Sequence, residues 1–90
     1  MEEYYPIREE RTYYERALKR FNEALDYYAQ KEFDLALESL NKALRRVNKA
    51  ILENQNDNKA HNLLTMIEVQ LGLTKKEIRK QNENRISNGL

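Results

Sequence analysis

Tyr14 to Ile51 reads YERALKRFNEALDYYAQKEFDLALESLNKALRRVNKAI, and the spacing of its apolar residues decides the fold. The first arm carries Tyr14, Leu18, Phe21, Leu25 and Tyr28, with Ala17 and Ala24 beside them. The second carries Phe33, Leu37, Leu40, Leu44, Val47 and Ile51, flanked by Ala36, Ala43 and Ala50. Steps of four and three keep side chains on one stripe of an α-helix. Only Gln30-Lys31-Glu32 separates the two stripes. A connection that short predicts antiparallel neighbours, so the stretch reads as a helical hairpin.

Working outward, the first helix is predicted over about 7–30. Pro6, with Tyr4, Tyr5 and Ile7 around it, marks its start, because proline suits a first turn and disfavours helix in the residue before it. Glu9 and Glu10 then lie near the positive end of the helix dipole. The second helix is predicted over about 32–53, and the polar run Asn54-Gln55-Asn56-Asp57-Asn58 ends it. Asp57 or Asn58 caps a third helix over about 58–71, with Ala60, Leu63, Leu64, Ile67 and Leu71 turned inward. Gly72-Leu73-Thr74 is expected to interrupt the chain, and Thr74 and Glu77 stand in capping-box spacing to begin a fourth helix over about 74–86. That helix offers few apolar contacts beyond Leu73, Ile78 and Ile86, so fraying is expected from Gln81 to Asn84 and disorder from Ser87 to Leu90. The expectation is one all-α domain over residues 1–90, a small antiparallel bundle of three helices and a short fourth.

Composition agrees with this reading. Charged residues make up 34% of the chain, with two Gly and one Pro, as long helices require. A chain of 90 residues buries only about 60–65% of its unfolded surface, which leaves a modest core. The absence of Cys excludes disulfides, thiolate catalysis and Cys-based zinc sites. No apolar run approaches the roughly 20 residues of a membrane span and no signal-peptide core is present, so a soluble cytoplasmic protein is expected. The net charge of +1 hides a gradient: residues 1–16 carry five acids and three bases, residues 75–90 two acids and five bases.

No catalytic constellation is recognisable in the sequence. His61 is the only histidine, and Asp57, four residues back, would give two metal ligands where three or four are needed. The glycines, at 72 and 89, are too far apart to cradle a phosphate. No nucleophile, base and orienting group fall together. The chain is therefore expected to be a non-enzyme with no cofactor and no metal.

The run from Glu32 to Leu44 resembles the turn and second helix of a tetratricopeptide repeat, whose Tyr, Ala, aromatic and Ala positions are occupied here by Phe33, Ala36, Leu40 and Ala43. Ala24 and Tyr27 match the small and aromatic positions of that repeat's first helix. Over residues 17–71 the chain also resembles a MIT domain, a three-helix module whose pattern is met by Ala17, Leu18, Phe21, Ala24, Leu25, Phe33, Ala36, Leu37, Leu40, Ala43, Leu44, Val47, Ala50 and Ile51. Its third helix would begin near Lys59-Ala60 and turn Leu64 and Leu71 inward. Either resemblance implies the same work: an adaptor or chaperone-like module that offers a groove to a helical or extended segment of another protein.

Two alternatives lie in other classes. Leu71 to Arg85 resembles the turn and recognition helix of a homeodomain-like helix-turn-helix, which implies nucleic-acid contact through Lys75, Lys76, Arg79, Lys80, Asn84 and Arg85 within residues 60–86. The nearly neutral net charge is a poor electrostatic footprint for that task. The hairpin patterning is also similar to RNA-cleaving HEPN bundles, but no Arg stands at 55, 56 or 57 before His61 to complete their catalytic pair. The favoured partner is thus a protein or peptide segment, or a second copy of the chain. Val47 and Ile51 from the second helix, with Leu63, Met66 and Val69 from the third, are the candidate contacts.

Overall fold

The computed structural model describes residues 12–89, with side chains described from 12 to 83. Residues 1–11 lie outside it, and with them the predicted start at Pro6 and the acids Glu9 and Glu10. The described chain forms three α-helices: α1 from Tyr13 to Ala29, α2 from Phe33 to Glu53 and α3 from Asn58 to Gly89. They make a small antiparallel bundle in which α2 packs along both of its neighbours while α1 and α3 touch only sparingly.

Within the described residues α1 begins at Tyr13, one residue before the apolar stripe, and its start is a local hydrogen-bond exchange. Thr12 is extended at φ −74° and ψ 161°, which stops the helix from reaching further back through it. The Glu15 backbone N–H donates to Thr12 Oγ1 at 3.0 Å, and the Thr12 N–H donates to Glu15 Oε1 at 3.1 Å. This reciprocal capping box satisfies two donors that a helix start otherwise leaves open. The Thr-x-x-Glu signal was present in the sequence at Thr12 to Glu15.

The turn into α2 is a Schellman motif built on an unusual residue. The Glu32 N–H donates to the Tyr27 carbonyl at 2.9 Å and the Lys31 N–H to the Tyr28 carbonyl at 3.0 Å. Between them Lys31 adopts φ 64°, the left-handed conformation that normally selects glycine because a Cβ is crowded there. Tyr28 closes the corner edge-on against Phe33, with ring centres 5.2 Å apart. Three residues thus reverse the chain and hold the two apolar stripes face to face.

Small residues set the spacing of the core. Ala17, Phe21 and Ala24 from α1 cluster with Leu40, Ala43, Val47 and Ala50 from α2 and with Ala60, Leu63 and Ile67 from α3. Alanine at facing positions lets helix axes approach closely, so the larger Phe21, Leu40 and Ile67 can interlock around them.

The second connection is also held by side chains. The Asn56 N–H donates to Asn54 Oδ1 at 3.1 Å, and Asp57 Oδ1 caps α3 by accepting from the Lys59 and Ala60 N–H groups at 3.0 and 3.2 Å. His61 Nε2 lies 2.8 Å from the Gln55 carbonyl, which can only accept, so this nitrogen carries the proton that ties the loop to the helix.

The expected fourth helix is not seen. Gly72-Leu73-Thr74 lies inside α3, which runs on through Ser87 and Asn88 to Gly89, where fraying and disorder were expected. Thr74 is fully buried and receives a long hydrogen bond from Gln70 Nε2 at 3.4 Å, while Glu77 pairs with Lys80 at 3.7 Å instead of completing a capping box. The physical reason is register. Ala60, Leu63, Ile67, Leu71, Thr74 and Ile78 keep steps of three and four across the glycine, so breaking the helix would take Thr74 and Ile78 off the stripe begun at Ala60. One glycine within a helix costs only about 1 kcal/mol.

Two substitutions with opposite chemistry follow. Lys31→Gly should stabilise the chain by up to about 1 kcal/mol by relieving the left-handed lysine. A Cβ at Gly72 would meet nothing within 4 Å, so Gly72→Ala should stabilise by about 1 kcal/mol. Urea denaturation measures both, and a destabilised Gly72→Ala would mean that the chain turns there.

Candidate functional site

The five residues picked from the sequence separate into an inside and an outside set. Val47 and Leu63 are core, at 0% and 1% exposure. Ile51 is half-buried and packs against the same cluster. Met66 and Val69 stand in solvent at 47% and 59% exposure. The fold therefore does not bring the five to one groove. It leaves Met66 and Val69 on the outer side of α3, about 120° around the helix from the buried stripe.

Continuity of α3 adds a residue that the expected interruption had hidden. Leu73, 45% exposed, falls four residues after Val69 and seven after Met66, on the same face. Three large apolar side chains thus form one exposed stripe over two turns. The remaining exposed large hydrophobics, Leu25, Leu35 and Leu52, stand on the other two helices. Scattered exposed leucines are ordinary, whereas a contiguous apolar stripe marks a surface that gains by being covered.

The alternative nucleic-acid contacts are all on α3. Lys75, Lys76, Arg79 and Lys80 are exposed, and Lys80 pairs with Glu77. The side chains of Asn84 and Arg85 lie outside the described ones. The helix-turn-helix resemblance needs a turn at Leu71 to Leu73, and that stretch is helical here.

Chemistry elsewhere on the surface is sparse. No group of three or more His, Asp or Glu side chains that could hold a metal occurs among the described residues. His61 is engaged with the Gln55 carbonyl. No helix among the described residues is long and apolar enough to cross a membrane. A depression of ≈ 380 Å³ on α2, lined by Asp34, Leu37, Glu38, Asn41, Lys42 and Arg45, and one of ≈ 310 Å³ where Tyr13 and Tyr14 meet the α2–α3 connection, are both shallow and mixed in polarity.

These features define a three-helix, all-α module. Compared with known protein families, curated proteins and solved structures, the chain matches none of them, and no family is identified.

The division between inside and outside is measurable. Leu63→Ala should cost about 2–5 kcal/mol, as removal of a buried leucine does, whereas Met66→Ala should change stability by less than about 1 kcal/mol. Equal effects in denaturant titrations would place both residues in the core.

Proposed function

We propose that this chain is a non-enzymatic interaction module, adaptor or chaperone-like, that binds a helical or extended segment of a partner protein along α3. The observation that carries the reading is the exposed stripe Met66, Val69 and Leu73, set on a helix whose opposite side is anchored in the core. A helical partner would lay its own apolar residues against the stripe at matching steps of three and four. Covering Met66, Val69 and Leu73, which already stand in solvent, would remove three large side chains from water. Tetratricopeptide and MIT modules, whose apolar patterning this chain resembles, work by offering a groove to a helical or extended segment of another protein.

The direct test is Met66→Asp combined with Val69→Asp. Partners captured by the wild-type chain from its native cell should be lost, while far-UV circular dichroism stays helical. Sedimentation of both proteins tells whether the covering partner is a second copy. Undiminished capture by a folded double variant would sink the proposal.

A further inference from the structure

The seam between α1 and α2 carries a second feature, and it is electrostatic. Arg20 of α1 and Lys42, Arg45, Arg46 and Lys49 of α2 line one shallow depression of ≈ 260 Å³, with no acidic residue in its lining. The four α2 residues follow at steps of three, one and three, which puts them on one side of the helix. Folding brings Arg20 to them from 22 positions earlier in the chain.

Only the rim of this cluster is neutralised. Arg20 Nη1 pairs with Glu23 Oε1 at 3.1 Å and Lys42 Nζ with Glu38 Oε2 at 3.7 Å. Arg45, Arg46 and Lys49 meet no carboxylate among the described residues. Lys42 with Arg46, and Arg45 with Lys49, are like charges four residues apart, an arrangement that disfavours a helix. The bundle holds them together all the same, so an anion placed over the seam would relieve repulsion as well as gain attraction.

We infer that this seam binds an acidic segment of a partner protein, with carboxylates at helical spacing set against Arg45, Arg46 and Lys49. Residues four apart on a helix present their side chains about 5–6 Å apart, so a partner helix with acids at that step matches the spacing of the cations. Two adjacent arginines supply planar forks that grip carboxylates in pairs of hydrogen bonds. Nucleic acid fits less well. No aromatic side chain lines the depression to stack a base, and Tyr13 beside it already holds Lys49 Nζ at 5.5 Å and the Arg16 guanidinium at 5.6 Å from its ring centre. The whole-chain charge of +1 also offers little for a polyphosphate. This inference goes beyond the interaction-module reading: it names a different face and a partner charge, and does not depend on the α3 stripe.

The test uses the full chain and a labelled helical peptide with glutamates three and four residues apart on one face, its glutamine counterpart, and a mixed-sequence DNA duplex. The wild-type chain should bind the glutamate peptide saturably, more weakly as salt rises, and should not bind the glutamine peptide. Arg45→Gln with Arg46→Gln should weaken binding about tenfold, while Lys75→Gln with Lys76→Gln, an equal loss of charge on α3, should leave it within about twofold. Circular dichroism of both variants checks that they fold, and a seam variant that fails to fold is replaced by Arg45→Gln alone. Absence of peptide binding, equal weakening by the two double variants, or tighter binding of the duplex than of the glutamate peptide would each overturn the inference. Loss of binding in the Met66 and Val69 double variant with retention in the seam variant would overturn it too, while leaving the α3 reading intact.

Discussion

The close approach of α1 and α2 is the constraint on which the rest of the molecule depends. It needs two conditions together: alanines at 17, 24, 43 and 50 that leave room for the helix axes, and a three-residue turn that keeps the stripes in register. The second condition is met at a cost, because Lys31 holds a backbone conformation that a glycine would adopt without crowding. The hydrogen bonds from Glu32 and Lys31 back to Tyr27 and Tyr28, and the Tyr28 to Phe33 edge contact, offset that strain. With the hairpin in place, α2 offers a second apolar flank, and α3 docks on it through Leu63 and Ile67.

The two outward surfaces are consequences of that arrangement. A helix docked along one flank keeps the other in solvent, and on α3 that other flank is apolar at Met66, Val69 and Leu73. On the far hairpin seam the close approach gathers cations that sit on two separate helices. One surface would be driven by loss of water from apolar side chains and the other by charge, so salt weakens the second and leaves the first largely unaffected.

Much of this was legible in the residues. Periodicity located α2 to within a residue, the polar run marked the connection that spans Asn54 to Asp57, and its capping residues made Asp57 one of two candidate caps. In the sequence alone the capping-box pair Thr12 and Glu15 is outweighed by Pro6, a stronger start signal further back. The continuation of α3 was harder to see, since Gly72, Thr74 and Glu77 each resemble a stop or start signal taken one at a time. The steps from Ala60 to Ile78 were the counter-signal, and they acquire weight only once α2 is known to lie beside them. For the site, spacing put Val47 and Leu63 on apolar stripes but could not say which stripe residues were enclosed. That depends on which flank a neighbour covers. The seam cluster was hidden for a similar reason: Arg20 joins Arg45 and Arg46 only after the chain has turned at Lys31.

The unequal lengths of the helices have a mechanical meaning. α3 has 32 residues against 21 in α2, and the difference of 11 corresponds to about 16 Å of rod with no helix of equal length to lie against among the described residues. Side chains from Arg79 to Glu83 are all exposed, as such a projection requires. The turns around Leu63 and Ile67 can open only with the core, but those beyond Ile78 rest on the helix's own backbone ladder, with Lys80 paired back to Glu77. Among the described residues α3 is thus a single helix with two melting regimes, a strut where it packs on α2 and a spar beyond Ile78, joined without a hinge.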